Sequence, residues 1–323
     1  MKKIANLALA IALAALSLHA APSLAQSWPQ RSVKFVLPLG PGSGADLTGR
    51  LLADRLSKRW GQPVVVENRP GGDGVIAINA VIAARDDHTL LYGPASSFVG
   101  HPYTLDKMPY DRGELQPVAR VSNTVVVIAV PASLNVSSLK ELIGMVREQP
   151  GKLNWATITN VTDIIIEGFL KGAGLSAVKI AYKNPVAGMT DLMEGRLHFY
   201  SAAYAIVRAQ AQGGKLKVLA VQSRGRVAGL DLPTVEEAGF PGLNFDGLVG
   251  VLAARSSALP DAARDRIAAD IKTELADPAI TERMTATGQI VSPGTAAEFG
   301  AAIDEQARHL AAVIKALGLK PAQ

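Results

Sequence analysis

Val33-Lys34-Phe35-Val36-Leu37-Pro38-Leu39-Gly40-Pro41-Gly42-Ser43-Gly44-Ala45-Asp46 is the stretch on which the fold turns. Its first half, Val33–Pro38, is an apolar β-prone run that reads as a buried strand. Its second half is a glycine- and proline-rich turn, after which Leu47, Leu51, Leu52 and Leu56 recur at helical spacing up to Trp60. The next segments repeat that rhythm: strand Val64–Glu67, helix Val75–Ala84, strand Thr89–Tyr92. Strands that alternate with helices pair in parallel through crossovers, so the fold class is α/β.

Further along, Thr124–Val130 is a strongly β-prone strand, and the helix Ser138–Glu148 stops at Gln149-Pro150-Gly151. The rhythm then restarts with strands near Leu153–Thr157, Val178–Tyr182, Leu197–Ser201 and Leu216–Val221, separated by helical patterns. This is a second α/β unit, not a sequence repeat of the first. Phe245–Ala253 is one more strand, and the tail reads as three helices over Pro260–Leu275, Pro278–Thr287 and Ala296–Leu317. A helical tail after a strand predicts that the chain returns to pack on the first unit. The expected architecture is two-lobed, each lobe a mostly parallel sheet flanked by helices. Crossings near Val130 and Phe245 give lobe 1 as residues 26–129 with 246–323, and lobe 2 as residues 130–245.

The N-terminus reads as an export signal over residues 1–25. Lys2 and Lys3 precede the apolar run Ile4–Leu18, and Ser23-Leu24-Ala25 offers small residues for cleavage after about Ala25. The run is shorter than the ~20 residues that span a bilayer, so no membrane insertion is expected after cleavage. With no cysteine, lipid attachment, disulfides and thiolate chemistry are all excluded. Removing the signal leaves 31 basic against 28 acidic residues, interspersed, which gives no stripe for nucleic acid.

Three glycines in Leu39–Asp46 let backbone amides approach a ligand, and the helix that follows turns its unpaired N–H groups to the same spot. A helix start of this kind suits a carboxylate or phosphate. No Gly-Lys-Ser/Thr follows, so it is not a Walker loop. Gly40, Gly42 and Ala45 fit a dinucleotide fingerprint, but Pro38 and Pro41 remove amide donors and Glu67 lies 27 residues beyond Gly40. A plain strand–helix turn is the remaining alternative.

Trp28-Pro29-Gln30-Arg31, Val33–Asp46, Gln62-Pro63-Val64-Val65-Val66-Glu67-Asn68-Arg69-Pro70-Gly71 and Pro233-Thr234-Val235-Glu236-Glu237-Ala238-Gly239 together resemble the tripartite tricarboxylate transporter receptor family, the Bug-type extracytoplasmic solute-binding proteins. The resemblance extends over nearly the whole mature chain. It implies a periplasmic-binding-protein-like fold of type II and a periplasmic, monomeric receptor. Such a receptor captures a small organic acid and hands it to membrane permease subunits, with no cofactor and no metal. It places ligand contacts at Leu39, Gly40, Pro41, Gly42, Ser43, Gly44, Ala45 and Asp46, and after the third strand at Pro94, Ala95, Ser96 and Ser97. From the second lobe it implies Thr157, Thr159, Asn160, Thr162 and Asp163, with Tyr200 nearby.

Two departures bear on the ligand. The family's second-lobe loop is glycine-rich with a histidine, where this chain reads Thr157–Ile166; and Ala202 stands where many relatives carry an aspartate. Either the isoleucines favour an apolar acid or they are the buried face of a helix. Among the remaining histidines, His101 reads as a loop residue and His309 as helix surface. Asp86-Asp87 reads as a solvated turn, and no catalytic motif joins any of them. The reading is therefore a receptor and not an enzyme. The alternatives are a periplasmic sensing subunit for a two-component system and, further off, an exported enzyme.

Overall fold

The structure, a computed structural model, describes residues 28–182 and 185–318. The stretch expected to be an export signal, residues 1–25, lies outside the described residues. The first elements are β1 (Val33–Leu37), α1 (Gly44–Trp60), β2 (Val64–Asn68), α2 (Val75–Ala84) and β3 (Thr89–Pro94). Two short turns, α3 (Ser96–Val99) and α4 (His101–Thr104), lead to β4 (Leu115–Thr124). The second unit runs β5 (Val126–Pro131), α5 (Leu139–Glu148), β6 (Asn154–Thr157), α6 (Asn160–Gly172), β7 (Val178–Lys179), α7 (Pro185–Met193), β8 (Phe199–Ala203), α8 (Tyr204–Gln212) and β9 (Leu216–Val221). The chain then returns through β10 (Gly247–Ala254), α9 (Asp261–Leu275), α10 (Pro278–Ala286), β11 (Gln289–Gly294) and α11 (Ala296–Leu317).

Two sheets result, ordered β11-β4-β10-β3-β1-β2 and β7-β6-β8-β5-β9. Within each unit the order is the same. The second, first and third strands lie side by side, then comes a strand inserted from the other half of the chain path, then the fourth strand. The inserted strands are β10 and β5, each the first strand after a crossing between units. The chain leaves along β4 and returns along β10, so these neighbours run antiparallel, as β5 does to β8 and β9. The sheets are therefore mixed, not mostly parallel: only β2-β1-β3 and β7-β6-β8 are parallel. β4 and β10 belong to the first sheet and β5 and β9 to the second, so the chain passes between sheets at Val125 and again between Val221 and Gly247. Strand β4 escaped the sequence reading because Pro117, Arg120 and Asn123 interrupt its pattern. Register shifts where β4 meets β10 accommodate Pro117 opposite Leu252.

Both faces of the first sheet are covered. One face packs Phe35, Tyr92, Leu52, Leu56, Ile267 and Met284 together beneath α1, α9 and α10. Tyr92 stacks on Phe35 at 5.5 Å and meets the Thr48 hydroxyl at 3.1 Å, which pins α1 to β3. The other face joins Ile78, Phe98, Phe299 and Leu310 to Val161, Ile164 and Ile165 of α6, so one apolar cluster runs from lobe to lobe. The second sheet holds Trp155 stacked on Phe199 on one side, and Tyr200, Leu192 and Val207 on the other. Full burial of each such side chain is worth about 1.5–3 kcal/mol.

Candidate functional site

Loops that follow the carboxyl ends of parallel strands gather where ligands bind in α/β folds. Here the loop after β1 is held rigidly. Ser43 caps α1 by accepting from the Asp46 N–H at 3.2 Å, and the Asp46 carboxylate accepts from the Gly42 N–H at 2.9 Å. Gly42 adopts φ +83°, a conformation glycine takes without steric cost. Asp46 is buried and also accepts from Arg50 at 3.1 Å and from the Asn68 amide at 2.8 Å, while Asn68 donates to the Leu39 carbonyl at 2.9 Å. Burial alone would raise the Asp46 pKa; the hydrogen bonds from Arg50, Gly42 and Asn68 outweigh it and hold the carboxyl below its ordinary value. Asp46 thus acts as the clamp of the loop. The N–H groups of Gly44 and Ala45, at the start of α1, have no carbonyl inside the helix to serve.

The loop after β3 lies beside the turn that follows β2. A Cβ on Gly74 would stand 3.0 Å from Ser97 and 3.4 Å from Pro38, so three strand ends converge here. Ser96 and Ser97 are largely buried, as is Ala95, and Pro94 is half-buried. From the other lobe, Val161 at the start of α6 comes up against Gly100: a Cβ on Gly100 would sit 2.9 Å from the valine. Across the same boundary the Asn160 side chain donates to Asp73 at 2.6 Å. His101 backs this contact. Its Nε2 lies 2.9 Å from the Asp73 carbonyl and its Nδ1 2.6 Å from the Tyr110 hydroxyl. His101 is wholly buried in α4, where the sequence placed it in a loop.

The second-lobe residues are largely committed to each other. Thr159 caps α6 in a reciprocal box with Thr162, which is fully buried. The Thr157 hydroxyl donates to Asp163 at 2.6 Å, and Asp163 pairs with Lys179 at 2.8 Å. Tyr200 is fully buried in the second-lobe core, and burial raises its pKa to about 12. Ile164, Ile165 and Ile166 are buried as well, so the isoleucine run is the packed face of a helix. His309 is half-buried on α11, not on its surface.

Asp86, Asp87 and His88 cluster closely enough to suggest a cation site. Their atoms are spoken for: Asp86 accepts from the His88 N–H and the Thr89 hydroxyl, and His88 bridges Asp87 and the Gln30 N–H. Sequence reasoning missed Asn68, Asp73 and His101. The string Gly71-Gly72-Asp73-Gly74 was the available signal, since one acidic residue among three glycines marks a tight turn; the structure holds Asp73 there at φ +55°.

Two mixed sheets of matching order, with rigid strand-end loops facing each other across the lobe boundary, define a two-lobed solute-binding protein. Residues 48–319 match the sequence profile of the tripartite tricarboxylate transporter family receptor, and the chain belongs to that family. It is 33% identical over 319 residues to a UPF0065 protein of Bordetella bronchiseptica, covering 98% of this chain and 94% of the relative. The solved structure of R. palustris Rpa4515 with adipate is 26% identical with a TM-score of 0.79, covering 91% of this chain and 99% of that one. The periplasmic binding protein BugD is 25% identical with a TM-score of 0.74, again over 91% and 99% of the two chains. The chain is a receptor of the solute-binding kind.

Proposed function

We propose that this receptor works in the periplasm as a monomer, after cleavage near Ala25, and closes on a small carboxylated organic anion. The anion sits between the loops after β1 and β3 on one lobe and the start of α6 on the other. It is then handed to the permease subunits of a tripartite transporter. The lobes in this reading are residues 26–124 with 246–323, and residues 125–245. The observation that carries it is the clamped Leu39–Asp46 loop, whose fixed amides can hold a carboxylate without ordering cost at the moment of binding. The adipate in the R. palustris relative supports the ligand class. The Ser96 and Ser97 hydroxyls add neutral donors, and capture needs no turnover.

Native mass spectrometry of the purified protein, followed by calorimetry with mono- and dicarboxylates of two to eight carbons, tests this reading (about the size range a cleft ligand spans). We expect a saturable complex with at least one acid, lost in Gly40→Val. A Cβ at Gly40 meets nothing within 4 Å, so this change leaves the fold intact while filling the approach to the amides. Chemical conversion of the bound acid, or unchanged affinity in Gly40→Val, would overturn the proposal.

A further inference from the structure

Fixed charge is spread unevenly around the cleft. On the first lobe the start of α1 offers its unpaired N–H groups to one carboxylate. The cations nearby are taken: Arg50 lies on Asp46, and Lys34 and Arg69 both lie on Glu67. Around the start of α6 acids outnumber bases. Against Asp73, Asp163 and Glu167 stands a single cation, Lys179, held 2.8 Å from Asp163 and 3.3 Å from Glu167. His101 offers no free N–H, since its Nε2 is spent on the Asp73 carbonyl and its Nδ1 on Tyr110.

Of these acids, Asp73 is the one within reach of a ligand. Its side chain is 37% exposed, against 2% for Asp46 and 19% for Asp163. One oxygen, Oδ2, accepts from Asn160 at 2.6 Å, and the other accepts from none of the described residues. Asp73 lies beside the strand ends that carry the cleft loops, because a Cβ on its neighbour Gly74 would stand 3.0 Å from Ser97 and 3.4 Å from Pro38. Burial raises the Asp73 pKa, and the Asp163 carboxylate, near enough to act through space, raises it further. A third carboxylate brought to this end of the cleft meets the same repulsion, with no free cation to offset it. A hydroxyl or an ammonium group there meets an open acceptor instead. Ile164, Ile165 and Ile166 are buried in the cores, so they offer no apolar wall in its place.

We propose that the acid this receptor takes is a monocarboxylate whose far end donates hydrogen bonds, a hydroxy or amino acid and not a dicarboxylate, and that Asp73 makes the selection. This rests on the carboxylate reading of the cleft and narrows it. The carboxylate lies on the Leu39–Asp46 loop, and the donor end turns to the open Asp73 oxygen.

Calorimetry of the mature chain with two matched series is the test. One is succinate, 4-hydroxybutyrate and 4-aminobutyrate; the other is adipate, 6-hydroxyhexanoate and 6-aminohexanoate. Within a series only the far end changes. In at least one series the hydroxy and amino acids should bind at least about tenfold more tightly than the diacid, the size of one charge-assisted hydrogen bond. Asp73→Asn removes the charge and keeps a carbonyl oxygen for Asn160, so it should shrink that ratio to about threefold or less. Asparagine tolerates the φ of +55° found at this position, and circular dichroism verifies that the variant folds. Asp163→Asn, which removes the second acid, serves if it does not. A diacid that binds as tightly as its partners, or a ratio that Asp73→Asn leaves unchanged, would overturn the selection by Asp73 and leave the carboxylate cleft standing. Binding of none of the six acids would overturn both.

Discussion

The Asp46 carboxylate ties together four parts of the chain: the Gly42 turn, the first turn of α1, Arg50 one turn on, and Asn68 at the end of β2. Asp46→Ala should destabilise the protein by about 1–3 kcal/mol, a range lowered because Arg50 is half-exposed. It should also abolish ligand-induced stabilisation, because the loop amides lose their fixed direction. Its pH dependence follows from the lowered pKa. A carboxyl whose folded pKa is depressed contributes stability above its unfolded value of about 3.9, and that stability is lost as pH falls through the folded value. Thermal unfolding of wild type and Asp46→Ala between pH 3 and 7 should show a difference that is full above about pH 5 and shrinks below about pH 4. A constant difference across that range would rule out the clamp. In the sequence Asp46 stood only as one of the implied ligand contacts; its burial and its role as a clamp were not legible, since Asn68 reaches it from another strand.

At the scale of elements, α6 is the contested piece. Its apolar residues divide, with Val161, Ile164 and Ile165 in the cluster shared between lobes and Ile166 and Leu170 in the second-lobe core. The sequence left the run either as a lining for an apolar acid or as the buried face of a helix; only the fold showed that it is buried, and against what. Gly168 lies where α6 crosses α11, and a Cβ there would stand 2.1 Å from a Val313 methyl. Gly168→Ala should therefore cost about 1–3 kcal/mol through overpacking, despite alanine's better helix propensity. Val313→Ala should recover part of that loss in the double variant. Urea unfolding of the three proteins measures both effects, and a neutral or stabilising Gly168→Ala would show that the helices do not pack so closely.

For the whole molecule, the contact of Asp73 with Asn160 joins the lobes at the edge of the cleft. We expect Asp73→Ala and Asn160→Ala each to weaken ligand affinity by about tenfold, the size of one charge-assisted hydrogen bond. The double variant should be no weaker than either single one, since both remove the same bond. Calorimetry gives the affinities, and small-angle scattering should find the variants more open than wild type. Additive losses, or unchanged scattering, would mean that the pair does not hold the lobes together. His101, which backs Asp73 from beneath, was misread as a loop residue. A histidine before proline looks exposed in sequence, and its partners Asp73 and Tyr110 lie on other segments.

By itself the sequence determined the α/β class, the succession of most strands and helices, and the loop at Leu39–Asp46. These are local matters: hydrophobic period, glycine and proline placement, and cap residues act within a few positions. Tertiary structure decided which strands pair and in which direction. Two crossings insert β10 and β5 into sheets whose other strands are far away in sequence, and no local pattern records that exchange. It decided also that Asp46, Thr157, Thr162 and Asp163 spend their polar groups on the protein itself. The shared apolar cluster is of the same kind: Val161, Ile164 and Ile165 meet Phe299 and Leu310 only because the chain leaves along β4, returns along β10 and lays α11 against α6.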